Sequence, residues 1–282
     1  MFNGALAARR PGTKEPDLER VATLWIGKRF SFLEHLCLKS FADVDQKPIV
    51  YHYGDLEDIP DYIEARDARE IFETSEIYRD PVARSVAVHA DLFRLKLMQD
   101  TDYIWVDADA YANRPFETNQ GYLFPKANLK RRRMMNGVVA LPSDSPALKK
   151  MCDFAFDSDL VPPWWAEDRR KSYIDIFGRS TVWSLPLSTF GPPLFFHYIY
   201  DTPEHDMCSA RAELYAIPLR YRKYWNDPDM SALEFLDWQN KMSVHFFGSW
   251  FRKIFMDREI AKGSLVDTLL LKHGIDPSDH PL

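Results

Sequence analysis

Cysteine is scarce in this chain of 282 residues, which holds only Cys37, Cys152 and Cys208. They lie too far apart for a zinc-binding spacing and are too few for a disulfide framework. A sparse, odd count suits a reducing compartment. Long apolar runs are missing as well. No stretch approaches the ~20 apolar residues that cross a bilayer. The first twenty residues carry Arg9, Arg10, Lys14 and Arg20 but no apolar centre of signal-peptide length. The expectation is a cytoplasmic protein without a transmembrane segment, with peripheral membrane association left open. Basic charge is also short: 36 Lys and Arg stand against 42 Asp and Glu, a net charge of −6. That argues against a nucleic-acid binder, whose surface must neutralise phosphates. An anionic ligand would then need a local cation, most simply a metal ion.

What is present is apolar and ring-rich. Hydrophobic residues make up 46% of the chain, enough for a sizeable core. Val21–Ile26 is a short apolar run closed by Gly27 and predicts a buried strand. Phe30, Leu33, Leu36, Cys37 and Phe41 follow at helical spacing, with Cys37 in the core, and 48–52 predicts a second strand. This β-α-β opening is the usual start of a parallel sheet. Residues 64–73 suggest a charged surface helix, and 82–99 a buried one, since it is apolar nearly all round. Strands are expected at 102–106, 137–141 and 243–247, and helices at 145–158 and 257–273. The Pro- and aromatic-rich stretch 159–200, with Trp164, Trp165 and Trp183, reads as irregular structure with short helices. No repeat or linker is visible. The chain is therefore expected to be one α/β domain over 21–282, preceded by a flexible arm over 1–20.

Asp107 and Asp109 stand just beyond the strand 102–106, where ligands bind in open α/β sheets. On an extended strand they would project together, their Cα atoms roughly 6–7 Å apart. Such carboxylates repel unless a cation lies between them, and a hard divalent ion held there leaves positions for phosphate oxygens. The other reading is that they cap a following turn or helix. Asp91 and Arg94 share a face of the buried helix. They form either an internal salt bridge or a polar border for sugar hydroxyls. His245 ends the last strand and is either a nitrogen ligand or a core histidine. After it, Gly248 allows close backbone approach to a phosphate. Ser249, Trp250 and Lys253 carry donors for phosphate oxygens. The run 130–133, Lys-Arg-Arg-Arg, is a solvated loop, a lid over the phosphates or an attractor for an acidic acceptor. Trp164 and Trp165 are either sugar-stacking rings or core.

Taken in order, these segments resemble glycosyltransferases of the GT-A fold, most closely the family-32 type, related to family 8 and to clostridial glucosylating toxins. The resemblance is carried by 24–27 (Leu-Trp-Ile-Gly), His89 to Arg94, Tyr103 to Asp109, Asn136-Gly137, Gly191-Pro192 and His245 to Trp250. It spans residues 24–250. It implies a Rossmann-related, mostly parallel central sheet flanked by helices, and a nucleotide-sugar donor, UDP-linked by analogy. Asp107 and Asp109 would be the catalytic carboxylates. Asp109 would hold Mn²⁺ or Mg²⁺ directly, and Asp107 would contact the donor or reach the metal through water. Asp91, Arg94 and Asn136 would face the donor sugar. Leu24, Trp25 and Ile26 would lie near the base, with Tyr51 or Tyr53 stacking on it, and Ser249 and Trp250 would bind the diphosphate. His245 matches the metal-binding His of family 8. Retention of anomeric configuration is implied too. The acceptor, whether glycan, lipid-linked or protein, is left open. Two features depart from the family pattern. Asp100-Thr-Asp102 replaces a Gly-Gly turn, and the toxins carry an acidic ligand near the late cluster where this chain offers His245.

Two rival readings are a phosphatase or phosphotransferase with Asp107 as nucleophile, and a degenerate carbohydrate-binding or interaction module. The pair lies far from the chain start and is followed by Ala110-Tyr111, which is unusual for the first. Retained Asp107, Asp109 and His245 speak against the second.

Overall fold

The computed structural model describes residues 19–80, 85–157, 161–178 and 185–282. The arm expected over 1–20 lies almost wholly outside these residues, as do the first turn of the helix predicted from 82 and Trp183.

β1 (Val21–Leu24) leads through α1 (Phe32–Ala42) to β2 (Ile49–His52), and β3 (Glu64–Asp67) follows. α2 (Ala87–Asp100) then delivers β4 (Ile104–Val106), and a short turn leads to β5 (Ala110–Ala112). β6 (Val138–Val139) precedes α3 (Pro146–Ala155), α4 (Glu167–Phe177) and α5 (Pro192–Ile199). Two one-turn helices, α6 (Arg211–Leu214) and α7 (Ser231–Glu234), lead to β7 (Ser243–His245), α8 (Gly248–Phe255) and α9 (Leu265–His273). The main sheet runs β3-β2-β1-β4-β6, with β6 antiparallel and the rest parallel. β5 and β7 form a separate antiparallel ribbon.

Alternation along the strands sets the two layers. Ala22, Leu24, Ile49, Tyr51 and Trp105 face one side and pack with apolar residues of α2, α3 and α5. Val21, Ile104 and Val106 face the other and pack with Phe41 of α1. Burial on both faces explains why these strands read as continuous apolar runs. Beyond α1 a second core joins Leu33, Leu36 and Cys37 to Trp225, Phe246, Phe251 and the inner face of α9. The mixed α/β sheet flanked by helices matches the expected fold class.

One element differs in kind. The charged helix expected at 64–73 is instead β3 followed by a single 3-10 turn, Ala68–Glu70. The open edge of β2 offers a row of backbone partners, and pairing there outweighs helical propensity. The charges suit an edge strand, which must not invite further pairing, and Glu64 forms ion pairs with Arg20 and Arg66. Other differences lie at element ends. The closing helix starts only at Leu265, where the Ser264 side chain caps it after Gly263 turns the chain with φ +81°. The stretch 159–200 holds two ordered helices, α4 and α5, where irregular structure with short helices was expected. β5 had no counterpart in the sequence reading, and the late strand pairs with it, not with the main sheet.

Strand order reverses direction at β1: β2 and β3 lie on one side of it, β4 on the other. Ligands bind outside the carboxyl ends of strands at such a switch point. The residues that follow β1 and β4, namely Trp25 to Ile26 and Asp107 to Asp109, line a cleft of about 410 Å³ there. No helix among the described residues is long and apolar enough to cross a membrane.

Candidate metal centre and cleft

Asp107 and Asp109 converge through a turn, not along an extended strand. The N–H of Ala110 donates to the carbonyl of Asp107 at 2.9 Å, which folds the three residues back between β4 and β5. The β5–β7 ribbon pairs Ala110 with His245 and so brings the imidazole to the two carboxylates. Tyr215 stacks on the imidazole at 5.2 Å between ring centroids. Its hydroxyl accepts from the backbone N–H groups of Gly137 and Val138 at 3.0 and 3.2 Å. One atom each of Asp107, Asp109 and His245 lie within 4.8 Å of one another, so the three can hold a metal ion.

Each carboxylate divides its oxygens between two tasks. Asp107 Oδ1 accepts from Arg94 Nη2 at 2.9 Å and from Trp105 Nε1 at 2.8 Å. Its Oδ2 stands 3.3 Å from His245 Nε2. Asp109 Oδ2 accepts from the N–H of Gly248, the first residue of α8, at 2.5 Å. Asp109 Oδ1 is buried without a hydrogen-bond partner and also lies 3.3 Å from His245 Nε2. Thus one oxygen of each acid is fixed by the protein, and the other faces its counterpart across the imidazole. A buried carboxylate oxygen with no donor is costly. A divalent cation among these atoms satisfies it, and two carboxylate oxygens with one imidazole nitrogen form a donor set for such an ion. The residues present therefore fit the ion. The other reading, that the pair caps the turn or helix following it, differs from this arrangement, in which Asp109 Oδ2 binds the start of α8, 139 residues further along the chain.

His245 is 4% exposed. The N–H of Phe247 donates to its Nδ1 at 3.2 Å. A backbone N–H can only donate, so the neutral ring carries its proton on Nε2, the nitrogen between the two acids. Burial pulls the imidazolium down, but Asp109 and Asp107 outweigh that and raise its pKa above the usual histidine value.

Arg94 ties the centre to the cleft wall. Its Nη1 lies 3.1 Å from Asp91 Oδ1, its Nη2 binds Asp107, and its guanidinium stacks on Trp105 at 4.7 Å. Asn136 Nδ2 donates to Asp91 Oδ1 at 3.3 Å. Burial raises the Asp91 carboxyl to about 6, against the pull of Arg94. Burial acts on Asp107 in the same direction, but Arg94, His245 and Trp105 override it and hold that acid at about 2. Two glycines make room. A Cβ on Gly137 would lie 2.4 Å from His245 Nε2 and 2.7 Å from Asp107 Oδ2, and one on Gly191 would lie 3.1 Å from Asp91 Oδ2.

The cleft gathers Leu24, Trp25, Ile26, Asp91, Arg94 and Asn136 around the acidic pair. Other anticipated binders stand outside its lining. Tyr51 is in the core at 1% exposure. The Tyr53 hydroxyl donates to the Phe72 carbonyl and bonds to His89 Nε2, so this ring belongs to the packing behind α2. Ser249, Trp250 and Lys253 are exposed, and Trp250 lies between the cations of Arg222 and Lys253 at 4.4 and 4.8 Å. The Gly248 N–H is taken by Asp109.

Two charged residues that line the cleft, Arg252 and Glu34, were not singled out from sequence. Arg252 reaches it from the second turn of α8 and pairs with Glu34 at 2.5 Å. Glu34 is 2% exposed and also accepts from Ser31 at the start of α1. Its sequence signal, Ser31-x-x-Glu34, is that of a capping box. Nothing in that pattern distinguishes a cap from a cap that also anchors an arginine.

No family model matches the chain, and no curated protein matches it. A solved structure titled "PaToxG Glycosyltransferase" is similar at 15% identity and a TM-score of 0.43, over 65% of this chain and 69% of that one. At this distance the likeness speaks neither for nor against a given chemistry.

Proposed function

We propose that residues 21–282 form a metal-dependent glycosyltransferase of GT-A type. It would move a sugar from a nucleotide-sugar donor, UDP-linked, to an acceptor hydroxyl with retention of configuration. The observation that carries this reading is the division of labour at the acidic pair. One oxygen of each carboxylate is anchored, and the others converge on His245 Nε2 beside a cleft that both acids line. A bound Mn²⁺ or Mg²⁺ supplies charge neutralisation for the leaving nucleoside diphosphate.

The remaining roles fall to the protein. Arg252, next to Asp109, offers a second cation on the diphosphate side. Thr23 Oγ1 and Trp25 Nε1 are buried without partners in residues that line the cleft, and both suit the polar edges of a base or ribose between Leu24 and Ile26. Asp91, Arg94 and Asn136 form a fixed polar wall for sugar hydroxyls. With a pKa of about 6, the Asp91 carboxyl is mainly ionised at neutral pH and accepts from a hydroxyl.

Incubation with a panel of nucleotide sugars and Mn²⁺ tests this reading by the nucleoside diphosphate released. Slow hydrolysis of one donor is expected. Release of phosphate from monoesters instead would point to the phosphotransferase. Silence, with no metal-dependent nucleotide binding, would leave an interaction module. The anomeric proton of the product, read by NMR, tests retention. Asp109→Asn is expected to abolish turnover while leaving the melting curve unchanged. The amide oxygen would keep Gly248, and its NH₂ would occupy the metal side and oppose His245 Nε2. A variant that turns over normally would remove Asp109 from the mechanism.

A further inference from the structure

A second cavity, of about 470 Å³, lies beside the cleft and has the opposite character. Arg131, Arg132, Arg133 and Arg169 line it, with the rings of Trp164 and Trp165, and among the described residues no Asp or Glu contributes to its wall. The chain as a whole is acidic, so this concentration of positive charge is local. None of the four arginines forms an ion pair with a described carboxylate.

The arginines are positioned. Asn128 caps the turn Leu129–Arg131 through the N–H of Arg131 at 3.1 Å. Two backbone hydrogen bonds, 2.8 and 3.3 Å, close a loop between Asn128 and Arg133. Arg132 takes a left-handed conformation at its tip, φ +46°, which is unfavourable for a residue with a side chain. Its guanidinium lies over Phe196 at 5.2 Å, and that of Arg169 lies over Trp165 at 3.8 Å. Stacking fixes the plane of a guanidinium and leaves its N–H edge free for an oxyanion.

The cavity adjoins the cleft. Asn136, in the cleft wall, is three residues from Arg133, and three residues span at most about 10 Å. The N–H of Met134 donates to the Pro192 carbonyl at 3.0 Å, and at Gly191, the residue before it, an added Cβ would lie 3.1 Å from Asp91 Oδ2. Pro193, one residue further, lines the second cavity. The two linings share no residue, and Met134 with Pro192 joins the segments that carry them.

We infer that this cavity holds the acceptor, and that the acceptor is a phosphorylated sugar. Its phosphate sits among Arg131, Arg132, Arg133 and Arg169, and its ring sits against Trp164 and Trp165. The assignment to an acceptor rests on the transferase reading above. A doubly charged phosphate suits several converging forks better than a carboxylate, which a single arginine satisfies. An indole face binds the apolar face of a pyranose and leaves its hydroxyls outward for attack; on Trp165 only the face not covered by Arg169 can serve. The reaction balances without a further reactant. The acceptor hydroxyl oxygen bonds to the anomeric carbon, the bond from that carbon to the diphosphate breaks, and the hydroxyl proton leaves to solvent.

Calorimetry on the full chain tests the proposal with glucose 6-phosphate, glucose and inorganic phosphate as probes, and with UDP and Mn²⁺ as a separate titration. Saturable uptake of glucose 6-phosphate is expected, with glucose and inorganic phosphate each bound more weakly. The double variant R132A/R169A removes exposed side chains and should keep the wild-type melting curve. It is expected to bind glucose 6-phosphate about tenfold more weakly or worse, with UDP–Mn²⁺ uptake unchanged. Capture of the wild type, and not of R132A/R169A, by phosphatidylcholine vesicles carrying phosphatidylinositol 4-phosphate would support the site and place the sugar phosphate on a lipid. Absence of glucose 6-phosphate uptake, equal uptake by the variant, or inorganic phosphate bound as tightly as the sugar ester would each overturn the proposal. Loss of UDP–Mn²⁺ binding in the wild type, with glucose 6-phosphate still bound, would instead sink the donor reading and leave an anion site.

Discussion

Arg94→Met is expected to be the most destabilising single change in the cleft, by about 3 kcal/mol near pH 8, because it strips the partner from two acids at once. Asp91 would keep only Asn136, and Asp107 only Trp105 on its inner oxygen. The size of the loss depends on pH. Asp91 in the folded chain titrates at about 6, above its ordinary 3.8. Its proton therefore favours the folded state below 3.8, and that contribution is lost as pH rises through 6. Asp107 behaves in the opposite sense. Held at about 2, it contributes stability above 3.8 that disappears as pH falls through 2. Without Arg94 the Asp91 value climbs further and the Asp107 value loses its largest downward pull. At pH 8 both acids are then forced to ionise with little support. At pH 5 Asp91 takes a proton and the loss shrinks. Urea unfolding at the two pH values reads this directly. A loss under about 1 kcal/mol, the range of exposed pairs, or equal losses at both pH values, would show that the guanidinium does not carry the wall.

Gly137→Ala should separate the centre from the fold. The added methyl would stand 2.4 Å from His245 Nε2 and 2.7 Å from Asp107 Oδ2, closer than carbon approaches either atom. The backbone there cannot retreat easily. Gly137 offers its carbonyl to the N–H of Asp107 at 2.7 Å and its own N–H to Tyr215. The imidazole and the carboxylate must move apart instead. Displacing groups that orient a metal ligand costs about 10–100-fold in affinity, and here two ligands move together. We expect Mn²⁺-dependent nucleotide binding to fall by roughly a hundredfold, while far-ultraviolet circular dichroism stays that of the wild type. Wild-type Mn²⁺ affinity in the variant would mean that the three side chains do not share an ion.

The sheet was legible because its strands are buried on both faces, and 21–26, 48–52 and 102–106 advertise that as apolar runs. The edge strand β3 was not. Its residues Glu64 to Asp67 are charged, and only the neighbouring backbone tells them to extend. The acidic pair was legible as a pair, and its place beyond β4 followed from topology. Its geometry was not, since a turn joins the two acids and a three-residue strand, too short to leave a periodic signal, brings in His245. Lys253 and Arg252 show the same limit. Both follow the His245 cluster, but α8 turns one outward and the other into the cleft.

The contact from Phe247 to His245 has a consequence for how the centre fills. While that N–H points at Nδ1, the far nitrogen keeps its hydrogen, and this hydrogen occupies the space between the acids that a cation would take. Loading a neutral ring is thus a tautomer change: the proton moves to Nδ1, the cation takes the far nitrogen, and the Phe247 contact must open, whereas a ring that starts as imidazolium also releases one proton. Below the raised value of His245, apparent Mn²⁺ affinity should drop about tenfold per pH unit. In that range titrations in buffers of different ionisation heat would count one released proton per ion, and none well above it. Acidification would empty the centre without unfolding the chain.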